Sequence, residues 1–143
     1  MAKRILVPLD RTSTSEAVLP FVSDLAHGAG STVRLLRVEP VPNNVVSESG
    51  RVVAYTDQEM ARLEAEGLAH LDAIATLLQG VPVERVVRFG DPASEILTEA
   101  DTFGADVIAL TTRGRSWLRH TLSRGIVAQV FRKSRVPVLL LRQ

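Results

Sequence analysis

The chain has 143 residues, enough for a domain with a sizeable core, and its 45% hydrophobic and 23% charged residues are ordinary for a globular protein. It contains no cysteine, which excludes disulfides, cysteine metal ligands and a cysteine nucleophile. The net charge of +1 hides an asymmetry, because residues 113–143 hold eight of the 17 basic residues and none of the 16 acidic ones.

A basic segment of this kind suits an anionic partner. The alternative is that its arginines are solvated or pair with acidic groups from the first 112 residues. The beginning of the chain has no apolar stretch typical of a signal peptide, and no apolar run approaches the roughly 18 residues of a membrane span. We therefore expect a cytoplasmic protein with no membrane partner.

Five short apolar runs rich in β-branched residues predict strands, at residues 5–9, 32–38, 83–87, 107–110 and 136–141. The first, fourth and fifth are nearly all apolar, as expected for strands covered on both faces. The third run alternates only in part and is expected at an edge.

Helical periodicity fills the intervals between these runs. The first predicted helix covers about residues 18–29, with Ser13 and Glu16 at capping-box spacing and Pro20 expected to kink it. The second covers about residues 60–78, with Thr56 and Glu59 offering a capping box.

The third helix begins after Asp91 as N-cap and ends at Gly104. The fourth covers about residues 125–133, with Ile126, Val127, Val130 and Phe131 inward. Residues 39–55 predict a long irregular loop. The alternation of strands and helices predicts an α/β fold with a parallel sheet and helices on both faces. Residues 1–143 are expected to form one domain.

Two strand ends carry polar residues at the edge where ligands bind in open α/β sheets. Asp10 follows the first strand, and a segment containing Thr111 and Gly114 follows the fourth. A carboxylate accepts from ribose hydroxyls, and a glycine-containing loop before a helix offers backbone N–H groups to phosphate. Alone, Asp10 is also compatible with a cap or turn, and Gly114 with an ordinary turn glycine.

Four segments together resemble universal stress proteins of the UspA family: residues 5–10, 90–93, 111–116 and 136–140. The resemblance covers the whole chain in order. It implies a single open five-stranded parallel sheet in the order 3-2-1-4-5, Rossmann-like and similar to the adenine nucleotide alpha hydrolases. It also implies a homodimer through the last strand, Val136 to Leu141, which would otherwise be an apolar edge.

Part of that family binds ATP through Gly, two residues, Gly, nine residues, then Gly and Ser or Thr. In this chain those positions are Thr111, Gly114, Arg124 and Gly125, unless the motif is shifted by one so that Gly125 is its third glycine. Arg124 adds bulk but also a guanidinium that pairs with phosphate. The predicted nucleotide-binding residues are Pro8, Asp10, Val38, Leu110, Thr111, Arg113, Gly114, Arg115, Arg124 and Gly125.

The resemblance implies a stress-response regulator that binds ATP or a related nucleotide or anion, with Mg²⁺ only alongside the nucleotide. The alternative is an interaction or scaffold protein of the same fold, independent of nucleotide, with an unknown protein partner. No catalytic constellation or metal site is visible in the sequence, so at most a slow hydrolysis of ATP is expected. Binding of nucleic acid by the basic segment is the least favoured partner hypothesis.

Overall fold

The computed structural model describes residues 3–43, 45–46, 48–112 and 125–142. Its strands are β1 (Arg4–Pro8), β2 (Thr32–Glu39), β3 (Val45–Val46), β4 (Val52–Ala54), β5 (Val83–Phe89), β6 (Val107–Thr112) and β7 (Val138–Arg142). Its helices are α1 (Leu19–Ala29), α2 (Thr56–Ala75), α3 (Pro92–Phe103) and α4 (Ile126–Lys133), and a short 3-10 helix, Ser13–Val18, precedes α1. None of these described helices is long and apolar enough to cross a bilayer.

Five parallel strands form the main sheet in the order β5-β2-β1-β6-β7. Counted as the five predicted strands, this is the order 3-2-1-4-5, so the fold prediction is confirmed. The partly alternating third run, now β5, lies at one edge as predicted, and β7 lies at the other.

Side chains alternate between two hydrophobic layers, one on each face of the sheet. Ile5 and Val7 of β1 pack with residues of α1 and α2. Leu6 of β1 packs with Ile108 and Leu110 of β6 beneath α3 and α4. The helices after β1 and β2 therefore cover one face, and the helices after β5 and β6 cover the other.

The first predicted helix begins differently from the expectation. The 3-10 helix has Thr12 as its N-cap without a side-chain cap bond, so the capping box at Ser13 and Glu16 is wrong. Pro20 does not kink an α-helix interior, because it lies in the first turn of α1, where its missing N–H has no intrahelical partner to lose. The left-handed Gly30, with φ of 62°, caps the other end.

Two other helix starts are informative. The second capping box is displaced by one residue, since the backbone N–H of Tyr55 donates to Gln58 Oε1 at 3.1 Å. Asp91 is the predicted N-cap of α3, and its Oδ2 accepts from the Ser94 N–H at 3.0 Å. This bond holds the pKa of Asp91 below its ordinary value, because it stabilises the ionised carboxylate.

Two further expectations are corrected. The irregular loop of residues 39–55 contains a short antiparallel pairing of β3 with β4. Phe131 is 54% and Ile126 43% exposed, so the inward positions predicted for these two residues are wrong, while Val130 is fully buried as predicted.

A buried carboxylate joins α3 to the sheet. Glu99 Oε2 accepts from Arg34 of β2 at 2.7 Å, and Glu99 Oε1 accepts from Arg88 of β5 at 3.1 Å. The Arg34 guanidinium also lies 4.1 Å from the centre of the Phe103 ring. Burial disfavours its charge, but the bonds to Glu99 and Glu84 outweigh this and raise the pKa of Arg34.

A candidate ligand crevice where the central strands part

Strands β1 and β6 are neighbours, but they pair only near their beginnings. The register joins Ile5 with Val107 and Leu6 with Ile108. In contrast, β1 pairs with β2 as far as Pro8, and β6 pairs with β7 as far as Thr112. The ladder between the two central strands therefore ends before their carboxyl ends, and we call the region between those ends the crevice.

Pro8 explains where this ladder ends. The carbonyl of Arg4 accepts from Asp106 N, next to β6, whereas Leu9 N donates to the carbonyl of Leu36 in β2. The even-numbered residues of β1 therefore direct their backbone N–H and C=O groups towards β6. Residue 8 is the position whose N–H would be the next to donate to β6. Proline has no N–H, so the β1–β6 ladder loses that bond at Pro8.

The chain leaves the two parted strands in opposite directions. After β1 it passes into the 3-10 helix and α1 on one face, and after β6 it returns through α4 on the other. This is the topological switch point of the sheet, the position at which open α/β sheets bind ligands.

Asp10 lies at the mouth of the crevice and is exposed. Its Oδ1 accepts from the backbone N–H of Thr12 at 2.7 Å and from the Thr12 hydroxyl at 2.6 Å. This is the local turn that an aspartate forms with the residue two positions later. Asp10 Oδ1 therefore stabilises a turn, which is one of the two roles that the sequence allowed for Asp10; the other is to bind a ligand.

Thr111 faces the α1 side of the sheet, where its hydroxyl donates to the Ser15 carbonyl at 3.2 Å. The Ser15 hydroxyl in turn accepts from Asp10 N at 3.2 Å and donates to the Thr12 carbonyl at 2.9 Å. Ser15 thus connects the two strand ends across the crevice. No sequence pattern indicated this role, because it depends on a contact between residues 96 positions apart in the chain.

The opposite face of the crevice is largely apolar. Val38 and Leu110 belong to the layer beneath α3 and α4, and alternation along β1 assigns Pro8 to the same face. Thr112 follows Leu110 on this side at the end of β6. It is only 4% exposed, and among the residues that the structure describes its hydroxyl has no hydrogen-bond partner.

A charged group that sequence reasoning missed lies at the end of β2. Glu39 is buried and accepts from Arg37 Nε at 2.6 Å and from Arg11 Nη2 at 3.0 Å. Arg37 is buried beneath α2, whereas the side chain of Arg11 is 63% exposed. Side chains alternate along a strand, so residues 37 and 39 lie on the same face. This spacing was the sequence signal that could have indicated the pair.

Gly125 is the N-cap of α4, in an extended conformation and with no side chain to bond the first helical N–H groups. The predicted site residues Arg113, Gly114, Arg115 and Arg124 lie outside the described residues. Across the described ranges, no group of three or more His, Asp or Glu residues has the arrangement of a metal site.

The sheet order and its switch point define a doubly wound α/β protein. The family model of the Universal stress protein family matches residues 1–142. The chain therefore belongs to the universal stress protein family.

Two relatives show the level of similarity. A universal stress protein of Methanocaldococcus jannaschii is 25% identical over 156 residues, covering 100% of this chain and 96% of that protein. The universal stress protein YxiE of Bacillus subtilis is 26% identical over 148 residues, covering 99% of this chain and 100% of that protein.

Solved structures repeat the fold. The structure of the M. jannaschii protein has a TM-score of 0.78 at 26% identity and covers 100% of this chain and 97% of that one. A universal stress protein in complex with cAMP has a TM-score of 0.70 at 16% identity and covers 99% of this chain and 97% of that one. One from Archaeoglobus fulgidus in complex with dAMP has a TM-score of 0.64 at 17% identity, covering 98% and 97%.

Proposed function

We propose that this chain, acting as one domain over residues 1–143, binds ATP or a related nucleotide in the crevice between β1 and β6. The observation that carries the proposal is the early end of the β1–β6 ladder at Pro8. The ladder ends at the switch point of the sheet, where Val38 and Leu110 belong to the apolar layer beneath α3 and α4 and Gly125 is the N-cap of α4. Apolar walls suit a base, and a helix N-terminus suits phosphate.

The neighbouring structures support the proposal through the shared fold. Two proteins with this fold are complexes with adenine nucleotides, cAMP and dAMP. Their identities of 16% and 17% make them evidence about the architecture alone, so the residues assigned to the ligand here rest on this chain's own sequence and on its described residues.

The predicted residues fall into two groups by their chemistry, one suited to the base and sugar of a nucleotide and the other to its phosphates. Pro8, Val38 and Leu110 would contact the base or the sugar. The arginines Arg113, Arg115 and Arg124, with the α4 N-terminus at Gly125, would bind the phosphates. Mg²⁺ would enter only as a companion of the nucleotide. The crevice residues bind and orient, and we assign no hydrolytic step to them.

The experiment is calorimetry of nucleotide-stripped protein with ATP, together with mass spectrometry of what co-purifies. We expect micromolar binding that Asp10→Ala and Gly114→Val both abolish. Asp72→Ala is the matched control, because Asp72 is an exposed α2 carboxylate paired with Arg85 away from the crevice. Retained affinity in both crevice variants would place the ligand elsewhere.

The wider role we propose is that of a cytoplasmic stress-response regulator that works as a homodimer through β7. This strand is an open edge of the sheet, and Leu139 on it is 37% exposed. An apolar groove lined by Leu25, Val107, Pro137 and Leu139 runs beside it. A second copy would cover both, and an apolar edge without a cover would favour aggregation.

A nucleotide-independent scaffold of the same fold is the second candidate. The observation that favours it is the Asp10 turn, since Oδ1 already accepts two bonds from Thr12. This candidate predicts no ATP binding and no co-purified nucleotide, with a dimer that forms equally well without ligand. The calorimetry therefore separates the two functions directly.

A further inference from the structure

A groove lies on the face of the sheet that α1 and α2 cover, and it has a volume of about 670 Å³. The 3-10 helix and α1 form one side of it, and Leu77, which follows the end of α2, forms the other. None of the predicted nucleotide-binding residues that the structure describes lines this groove, so it is separate from the crevice. The first side includes Ser13, Glu16, Ala17, Pro20, Ser23 and Asp24.

Leu77 is held at the surface by the turn that ends α2. Its N–H donates to the Ile74 carbonyl at 2.9 Å, and the N–H of Leu78 donates to the Ala75 carbonyl at 3.0 Å. Ile74 and Leu78 are buried in the core, whereas Leu77 is 62% exposed. This is the largest exposed fraction of any large hydrophobic residue that the structure describes. The fold therefore presents a fixed leucine at the groove without burying it.

Two carboxylates line the same groove. A single exposed leucine is ordinary on a protein surface, so the charge beside it decides what the groove can bind. Glu16 Oε2 lies 4.0 Å from His70 Nε2, and Asp24 is exposed. Within the described part of the chain, neither carboxylate forms an ion pair with a lysine or arginine, and neither of these residue types lines the groove. Both charges are therefore available to a cationic partner.

The helices around the groove extend its negative charge. The 3-10 helix and α1 contain Glu16 and Asp24 but no lysine or arginine, and α2 contains one arginine, Arg62, and no lysine. We call the outer surface of these three helices the acidic layer. A surface of one sign raises the local concentration of an oppositely charged partner. The acidic residues of α2 are Asp57, Glu59, Glu64, Glu66 and Asp72.

We propose that the groove docks a basic segment of a partner protein. A lysine or arginine of that segment pairs with Glu16 or Asp24, and an apolar side chain next to it packs on Leu77. Charge complementarity selects this occupant. A neutral apolar segment would desolvate the carboxylates without pairing them, and an acidic segment would be repelled. The docking does not depend on nucleotide binding, because its residues lie outside the crevice.

The test measures, by fluorescence anisotropy, the binding of a short fluorescein-labelled peptide in which leucines alternate with lysines. Leu77→Ser should weaken binding at least about tenfold, because the apolar contact is lost. Glu16→Gln together with Asp24→Asn should weaken it about fivefold and reduce its dependence on salt. The same peptide with glutamate in place of lysine should not bind.

Matched controls separate the groove from the general charge of the acidic layer. Asp57→Asn together with Glu64→Gln removes two charges at exposed α2 positions outside the groove, and Val41→Ser removes an exposed apolar side chain elsewhere. Both controls should bind the peptide within about twofold of the wild type. Equal losses in the control and groove variants would show that the peptide has no defined site, and would overturn the proposal.

Three further results are decisive. In the wild type, the peptide should shift the amide resonances of residues 13–24 and of Leu77, and shifts confined to other elements would place the site elsewhere. A wild-type protein that does not bind the peptide refutes the docking. Sedimentation of the protein alone should give the same mass for Leu77→Ser as for the wild type. A lower mass would mean that a second copy occupies the groove, and the proposal would be wrong.

Discussion

Replacement of Glu39 by alanine should be one of the most destabilising single changes at the carboxyl edge of the sheet. The Glu39 and Arg37 side chains are 5% and 8% exposed, and Arg37 Nε lies 2.6 Å from Glu39 Oε1. Removing the carboxylate leaves the Arg37 guanidinium buried without that partner, which costs about 3–5 kcal/mol in comparable pairs. Arg11→Ala removes the exposed partner of the same carboxylate and should cost only about 0–1 kcal/mol.

Urea unfolding followed by far-ultraviolet circular dichroism measures this difference. With an m value of about 2 kcal/mol per molar urea, a loss of about 4 kcal/mol lowers the midpoint by about 2 M. The midpoint of Arg11→Ala should fall by less than about 0.5 M.

A double variant identifies the cause. Replacing the pair by Arg37→Met with Glu39→Leu removes both charges and should recover most of the stability lost in Glu39→Ala, because no charge is left buried alone. The reasoning is refuted if Glu39→Ala and Arg11→Ala cost the same, or if the double variant is less stable than Glu39→Ala.

Three further changes test the interface, the crevice and a helix cap. Leu139→Glu places a charge on the β7 edge and should give a monomer in sedimentation; an unchanged dimer would exclude this edge as the interface. Pro8→Ala adds a donor facing β6, so calorimetry should show weaker ATP binding without lower stability, and unchanged affinity would contradict the crevice assignment. The pKa of Asp91 is lowered by its bond from Ser94 N, so this stabilisation is complete above the unfolded pKa and is lost as pH falls through the folded one. An asparagine caps the helix without titrating, so the free energy of unfolding of Asp91→Asn should fall less than that of the wild type between pH 5 and 2. Identical curves of unfolding free energy against pH would refute this.

The presence of the five strands was predictable because burial leaves a simple pattern, whereas their order in the sheet followed only from the resemblance to universal stress proteins. Strands β1 and β6 are covered on both faces, and continuous apolar runs of that kind do not occur by chance in surface segments. Their ends were less predictable. Strand β6 extends through Thr112, and β7 begins at Val138, because pairing between the two strands sets those limits rather than composition.

The parts of the site that the sequence did not indicate depend on distant contacts. Arg37 and Glu39 have the charge expected of exposed strand residues, yet they are buried because each neutralises the other beneath α2. Ser15 contacts Thr111 only after β1 and β6 become neighbours. Pro8 was predicted as a site residue. Its effect on the β1–β6 ladder became clear only when the structure showed that the N–H missing at this position would have faced β6.

The short pairing between β1 and β6 divides the sheet into two mechanical units. One unit contains β5, β2 and β1, and the other contains β6 and the edge strand β7. Ile5 with Val107 and Leu6 with Ile108 form the described backbone ladder across the seam between them. A molecule bound in the seam would act as a wedge or a clasp, and the angle it sets would be transmitted directly to β7.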